Sequence, residues 1–392
     1  MRRSAAAGLL VLALSGCRAP LAPLASLGWR LPPQRLEGDP FSRQPATPER
    51  LWEMDWWARL VPYEPWAYQP REPASPGVDP ETGRVFLATR DGKIHALDKD
   101  GKVAWEVAGR GAFEAGPAVK DGIVYAGTAK GILYALRAGS GEKLWEYDAK
   151  EGLATEPMVE QGLVLVASLS DTVYAVDQKT GKWVWQYRRD LPVGFTIHGA
   201  SRPVVSAGTV YRGFADGTLV ALSLADGTMK WEHELAEQGD FRDADAAPAV
   251  DEASGRLYVA SYKSGLFALD TANGKELWRS ADPGIVSLLL DKGVLYASGD
   301  QTVRAYGALD GLTLWTRALG DRAGRKPVLA RGLLVVPVGT SLLFLEPRSG
   351  LVRAEWDPGE GVTATPLWTG THLVVLSNDG FVYAMYLPVR RG

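Results

Sequence analysis

The strongest constraint on this 392-residue chain is a motif of about 40 residues written about eight times. One copy runs Pro117–Trp145. It opens on Pro-Ala-Val and continues through an apolar run from Ile123 to Gly127. A turn at Lys130-Gly131, a second run from Ile132 to Leu136, a turn at Gly141 and a short run ending in Trp145 complete it. Alternation over five or six positions is the period of a half-buried strand, and the Gly turns between runs are short enough to join antiparallel neighbours. One copy is therefore expected to be a four-stranded meander, with strands A to D in chain order.

The closing tryptophans keep the beat: Trp105, Trp145, Trp185, Trp231, Trp278, Trp315 and Trp356. Strand A openings fall at Pro76, Pro117, Pro157, Pro203, Pro248, Pro327 and Pro366, with Val286 where one proline is missing. Eight openings against seven closing tryptophans leave the last copy without strand D. The segment Leu51–Ala58 can supply it, with Trp57 as the eighth tryptophan. Four strands per unit at this period is the signature of a propeller, whose blades bury their faces only against one another. The expected fold is all-β, an eight-bladed β-propeller of four-stranded antiparallel blades over residues 51–387, closed by an N-terminal strand so that no sheet edge stays loose. The tryptophans are expected to pack between blades.

Ahead of the propeller, Arg2 and Arg3 precede an apolar run, Ala5–Leu14, of ten residues. A helical span of a ~30 Å bilayer needs about 20, so residues 1–16 are expected to be a secretory signal. Leu14-Ser15-Gly16-Cys17 resembles the bacterial lipobox, which implies a lipid on Cys17. Cys17 is the chain's one cysteine, so no internal disulfide can form and core burial must hold the fold. Arg18 follows it. In enterobacterial sorting Asp at that place retains a lipoprotein in the inner membrane, so Arg18 points to the outer membrane. Residues 17–50, with seven prolines between 18 and 50, are expected to form a lipidated, extended tether.

Two connections break the regularity. Trp185 to Pro203 takes 18 residues and Trp231 to Pro248 takes 17, where most blades use 8 to 12. Both join strand D to the next strand A, in neighbouring blades. Because strands alternate in direction, both are expected on the face that also carries the B–C turns. Long loops on a rigid scaffold are where binding concentrates. The first carries Phe195, Ile197 and His198, the second Asp243 and Asp245. An apolar centre ringed by charge is the layout of a protein-binding patch.

Other chemistries find little support. His95, His198, His233 and His372 are dispersed and lack metal-ligand spacing. His95 takes the repeat place of Tyr134 and Tyr174, which suits packing. No nucleophile elbow is present. Without Arg2 and Arg3, 41 basic residues face 46 acidic ones, a net of −5 that does not suit a nucleic-acid surface.

The mature chain resembles the BamB family, eight-bladed lipoproteins of the outer-membrane β-barrel assembly machine. That family lies within the wider group of propellers with pyrroloquinoline-quinone (PQQ)-type repeats. In the family one D–A loop carries a Leu-x-Leu-Arg-Gly-x-Ser run; here Phe195-Thr196-Ile197-His198-Gly199-Ala200-Ser201 stands in its place, with His198 for Arg. The next loop carries Asp-x-Asp before its opening, matched by Asp243-Ala244-Asp245. The resemblance implies that Phe195, Ile197, His198, Asp243 and Asp245 hold a periplasmic domain of the barrel-insertion subunit. It also implies work near unfolded outer-membrane proteins, by a monomer within a complex, lipid-anchored to the outer membrane and facing the periplasm. It implies no cofactor, metal or enzymatic activity. The rival class with the same repeat is the quinone-dependent dehydrogenase, or a ligand-sensing propeller. Many of those enzymes carry a disulfide of adjacent cysteines, which a chain with one cysteine cannot form.

Overall fold

The computed structural model describes residues 51–62, 72–191, 201–235, 243–244 and 246–388. Residues 1–50, with the expected signal, tether and Cys17, and the loop residues Phe195, Ile197, His198 and Asp245 lie outside the described residues.

Eight antiparallel sheets follow one another around a ring. Blades 1 to 7 span residues 77–108, 118–148, 158–188, 204–234, 249–280, 285–323 and 328–356. Blade 8 takes three strands from residues 367–386 and its outermost strand from Glu53–Arg59, which pairs antiparallel with Phe381–Tyr386. In blade 6 the second and third strands form one run, Val294–Gly307, folded back on itself. The Ala308 N–H donates to Gly293 O at 2.9 Å, so the two ends of that run meet.

The core is divided into eight apolar clusters, one for each seam between blades. Phe86, Ile94 and Ala96 of blade 1 pack on Val124, Ala126 and Leu136 of blade 2. Tyr125, Leu133 and Ala135, on the other side of blade 2, pack on Val164, Val166 and Tyr174 of blade 3. The last seam joins Val374, Leu376 and Val382 of blade 8 to Val85, Leu87 and Leu97 of blade 1, which closes the ring. The inner strands are therefore buried on both faces, not half-buried as their alternation suggests. Both sets of the alternation are used, one for each seam: Leu334, Val336 and Val338 of blade 7 face blade 6, and Leu333 and Val335 face blade 8. The outer D strands of blades 1 to 3 alternate between inward and exposed, whereas that of blade 7, Val352–Trp356, has no exposed residue.

The tryptophans hold the seams together. Each of the six closing indoles Trp105, Trp145, Trp185, Trp231, Trp278 and Trp315 donates its Nε1–H to a carbonyl in the C–D turn of the next blade, as Trp145 does to Gln178 O at 3.0 Å. The ring also lies on that turn's glycine: a Cβ on Gly181 would stand 2.6 Å from the Trp145 ring, and its φ of 68° already favours glycine. The turn glycines thus answer to two constraints, backbone sign and indole contact.

The eighth such tryptophan is Trp56, not Trp57. Trp56 donates to Lys99 O at 3.0 Å and covers Gly101. Trp57 is 43 % exposed and meets Phe381 within its own blade, ring centroids 5.8 Å apart. A one-residue register change moves a strand side chain to the opposite face, and the pairing with strand C shifts between Met54 and Trp56. Trp356, 1 % exposed, closes the seven-eight seam edge-on to Tyr383 at 5.0 Å.

A buried carboxyl sits at the closure. Glu72 is 5 % exposed; its Oε2 accepts from Arg90 N at 3.1 Å in blade 1, and its N–H reaches Asn378 Oδ1 at 3.3 Å in blade 8. Burial raises its pKa to about 7, against the Arg90 N–H bond. Between its ordinary value of 4.5 and about 7 the folded chain keeps a proton that the unfolded chain has lost. Stability from this group therefore falls as pH rises through that window and stays level above it. Glu72→Gln is expected to be more stable than the parent at pH 8, by about 3 to 3.5 kcal/mol at about 1.4 kcal/mol per pKa unit. The difference should vanish below pH 4.5, and urea midpoints at the two pH values check it.

Candidate partner-binding site

The D–A connections and B–C turns share one face, shown by backbone bonds between them: Gly109 N to Gly92 O, Leu153 N to Thr128 O, Leu235 N to Gly217 O. Both long connections leave from this face at blades 3, 4 and 5. Their tips fall largely outside the described residues, but their bases are well defined and joined.

The junction is built on Arg212, a fully buried arginine in strand B of blade 4. Its guanidinium lies 3.0 Å from Asp171 Oδ1 in the B–C turn of blade 3 and 4.4 Å over the Phe214 ring. Its Nε–H donates to Ser201 O, the residue that ends the first connection, at 3.2 Å. Ser201 Oγ–H in turn donates to Ala246 O, at the end of the second connection, at 3.3 Å. Asp171 also accepts from Ala215 N at 2.9 Å through Oδ2. A chain of bonds thus runs from blade 3 through Arg212 to the feet of both loops. Asp171 stands where the other turns carry Gly92, Gly131, Gly217 or Gly265, and it adopts their left-handed backbone at φ 56°. Asp tolerates that region better than most residues.

The second foot is held as tightly. Ala244 N donates to Phe214 O at 3.2 Å and Tyr262 N to Asp243 O at 3.2 Å. Gly213 lets this happen, since a Cβ there would stand 2.1 Å from Ala244 O. Asp243 is 1 % exposed, and neither carboxylate oxygen has a hydrogen-bond partner among the described residues. A buried carboxylate without donors is costly. Asp243 is turned inward at the base of the loop rather than displayed on its surface.

Around these feet the surface is charged and partly apolar. Arg189 binds Asp216 and Glu232, each at 2.7 Å, and Arg188 binds Glu151 at 3.1 Å. Leu191, at the start of the first loop, is 49 % exposed, and Leu169, in the blade 3 turn beside it, is 42 % exposed. Leu169 was not foreseen; its signal is a leucine at a turn position where other blades carry Arg90, Ala129 or Ala215. His95 is packed, 1 % exposed, with Nε2 3.3 Å from Thr89 Oγ1, and burial lowers its pKa.

The ring axis holds a cavity of about 350 Å³ on this side, reached by Glu156, Arg202 and Lys326, which precede three strand A openings. Arg202 pairs with Glu156 at 3.1 Å. Among the described residues no group of three or more His, Cys, Asp or Glu is placed to hold a metal ion.

Comparison with known proteins places these features in context. A family model described as outer membrane protein assembly factor BamB matches residues 42–115, 108–301 and 299–386. The BamB of Kangiella koreensis is 36 % identical over 320 residues, covering 78 % of this chain and 81 % of that protein. The Escherichia coli BamB is 32 % identical over 320 residues, covering 77 % and 81 %. The crystal structure of BamB from Moraxella catarrhalis superposes with a TM-score of 0.74 at 21 % identity, over 86 % of this chain and all of that one. Quinohemoprotein alcohol dehydrogenase from Comamonas testosteroni shares the fold alone, with a TM-score of 0.66 at 14 % identity over 86 % of this chain and 76 % of that one.

Proposed function

This chain belongs to the BamB family of outer membrane protein assembly factors, and from that premise we propose that it is a non-enzymatic scaffold whose two long D–A loops grip the barrel-insertion subunit of the outer-membrane assembly machine. The lipid on Cys17 holds it to the outer membrane, facing the periplasm. Phe195 and Ile197 supply the apolar contact, and His198 and Asp245 its polar rim. Asp243 acts from below, by setting how the second loop leaves blade 4.

The observation that carries this reading is the bonded junction of the two loop feet through Arg212, Ser201 and Ala246. Independent loops would lose more conformational entropy on binding than two whose bases are already fixed. The name shared by the relatives supports the assembly role, and exposed Leu169 and Leu191 extend the apolar surface on the same face.

Buried apolar anchors dominate interfaces of this kind, so removing them should be decisive. Phe195→Glu with Ile197→Glu is expected to reduce co-purification of the barrel-insertion subunit from solubilised envelopes at least tenfold, with the melting temperature unchanged. Undiminished co-purification would count against the loop pair as the contact.

A further inference from the structure

We infer that the C–D turn of blade 6, with its neighbour in blade 5, is a bilayer-contacting patch that sets the propeller's orientation; this rests on the lipid-anchored reading above. Leu309 and Leu312 in the turn and Leu314 in the strand after it are 67, 65 and 55 % exposed; Leu277, at the place of Leu314 in blade 5, is 44 % exposed, and Leu144 and Val184 at that place in blades 2 and 3 are less so, at 36 and 37 %. The repeat supplies its own control. Where blade 6 has Leu309, the other C–D turns have Lys99, Gly139, Lys179, Ala225, Ala272 and Arg348. Where it has Leu312, blades 1, 3 and 5 have Lys102, Lys182 and Lys275 and blades 2 and 4 have Glu142 and Thr228; only blade 7 also has a leucine, Leu351. The leucines serve no seam, since the indole of the same strand, Trp315, already makes the bond to Pro347 O at 2.8 Å. Exposed apolar clusters of this kind mark interaction sites.

The position of the chain's N-terminal end selects the occupant. Glu53 pairs with Tyr386 at the C–D end of blade 8, whereas Leu60 N bonds Gly380 O at the opposite, loop-bearing face. The propeller's described N-terminal end, Leu51 to Glu53, is therefore on the same face as the leucines. From Cys17 to Leu51 is 34 residues, which at ~3.3 Å each reach about 110 Å when extended. Such a reach leaves orientation undetermined, yet it keeps the propeller at high local concentration near the lipid. A modest second contact is then enough, as in two-signal membrane anchoring. The patch is also flanked by exposed cations at the equivalent turns, Lys275 in blade 5 and Arg348 in blade 7, which suit anionic headgroups. Asp310 lies within the turn but bonds the Leu312 N–H at 3.1 Å. With this face on the bilayer, the feet of the two long loops lie on the far side of the propeller.

The test uses the mature chain, lipidated on Cys17, in vesicles of phosphatidylethanolamine and phosphatidylglycerol. Thr313→Cys, exposed between the leucines, carries a fluorophore, and Leu191→Cys on the opposite face is the comparison. With spin-labelled lipid, quenching at 313 should exceed that at 191 severalfold, and Leu309→Lys with Leu312→Lys should abolish the excess without lowering the melting temperature. Equal quenching at both sites on chains that float with the vesicles overturns the patch and leaves the anchor intact. Chains that do not float overturn the anchor and, with it, this patch. Contact-dependent self-quenching at 313 without lipid quenching assigns the leucines to a second copy and also overturns the proposal.

Discussion

Arg212→Met is expected to lower the unfolding free energy by about 3–5 kcal/mol, the cost of leaving a buried charge without its partner. The Asp171 carboxylate would remain below the surface with only the Ala215 N–H for company, and Ser201 would lose its tie to blade 4. Against a total stability of about 5–15 kcal/mol for a folded domain, such a loss should be plain in urea midpoints. Adding Asp171→Gly should return most of it, because glycine meets the φ of 56° without strain and restores the turn used by other blades. Replacing a whole buried pair by apolar or small groups is often neutral. The double variant should nevertheless co-purify poorly with the partner, since stability returns but the Ser201 foot of the first loop stays untied from blade 4. A single variant that loses less than about 1 kcal/mol would contradict the role assigned to the pair.

The second large effect concerns closure. Removing residues 51–59 takes away the outer strand of blade 8, the Trp52 ring stacked on Phe344 at 4.7 Å, and the Trp56 bond to Lys99. It leaves Phe381–Tyr386 as a bare edge, a template for pairing with other chains. The deleted chain is expected to elute as soluble aggregates, and any monomer to exchange the amides of 381–386 orders of magnitude faster. Removing residues 18–50 instead should leave elution and exchange unchanged. Point variants refine the result: Trp56→Ala should cost about 2–4 kcal/mol, toward the lower part of the range for aromatic truncation because Trp56 is partly exposed. Trp57→Ala should cost less than about 1 kcal/mol, as for a surface change.

That contrast also shows where sequence reasoning stops. Seven tryptophans at a steady interval made the blade count and the closure legible, because a repeated error would have to be made seven times. The closing strand occurs once and offers two adjacent tryptophans. Period-two alternation cannot choose between them when the pairing is irregular near Met54 and Trp56. The loops were visible as extra length in the repeat. The ion pair that joins them was not, because Asp171 and Arg212 lie 41 residues apart and meet only when blades 3 and 4 pack. A trace of it was present in the sequence, as an aspartate in a glycine position of the turn and an arginine in a run otherwise apolar. Nor did the sequence show that Asp243 would be turned inward, since an acidic loop residue reads as solvated until its neighbours are in place.

The most direct test of the adaptor account is site-specific photo-crosslinking in intact cells, with the reactive group placed at residue 195 in the first loop and, separately, at residue 313 on the opposite face. The account predicts that residue 195 captures the barrel-insertion subunit and residue 313 does not. Capture of that subunit from residue 313 alone, or from neither position, would contradict it.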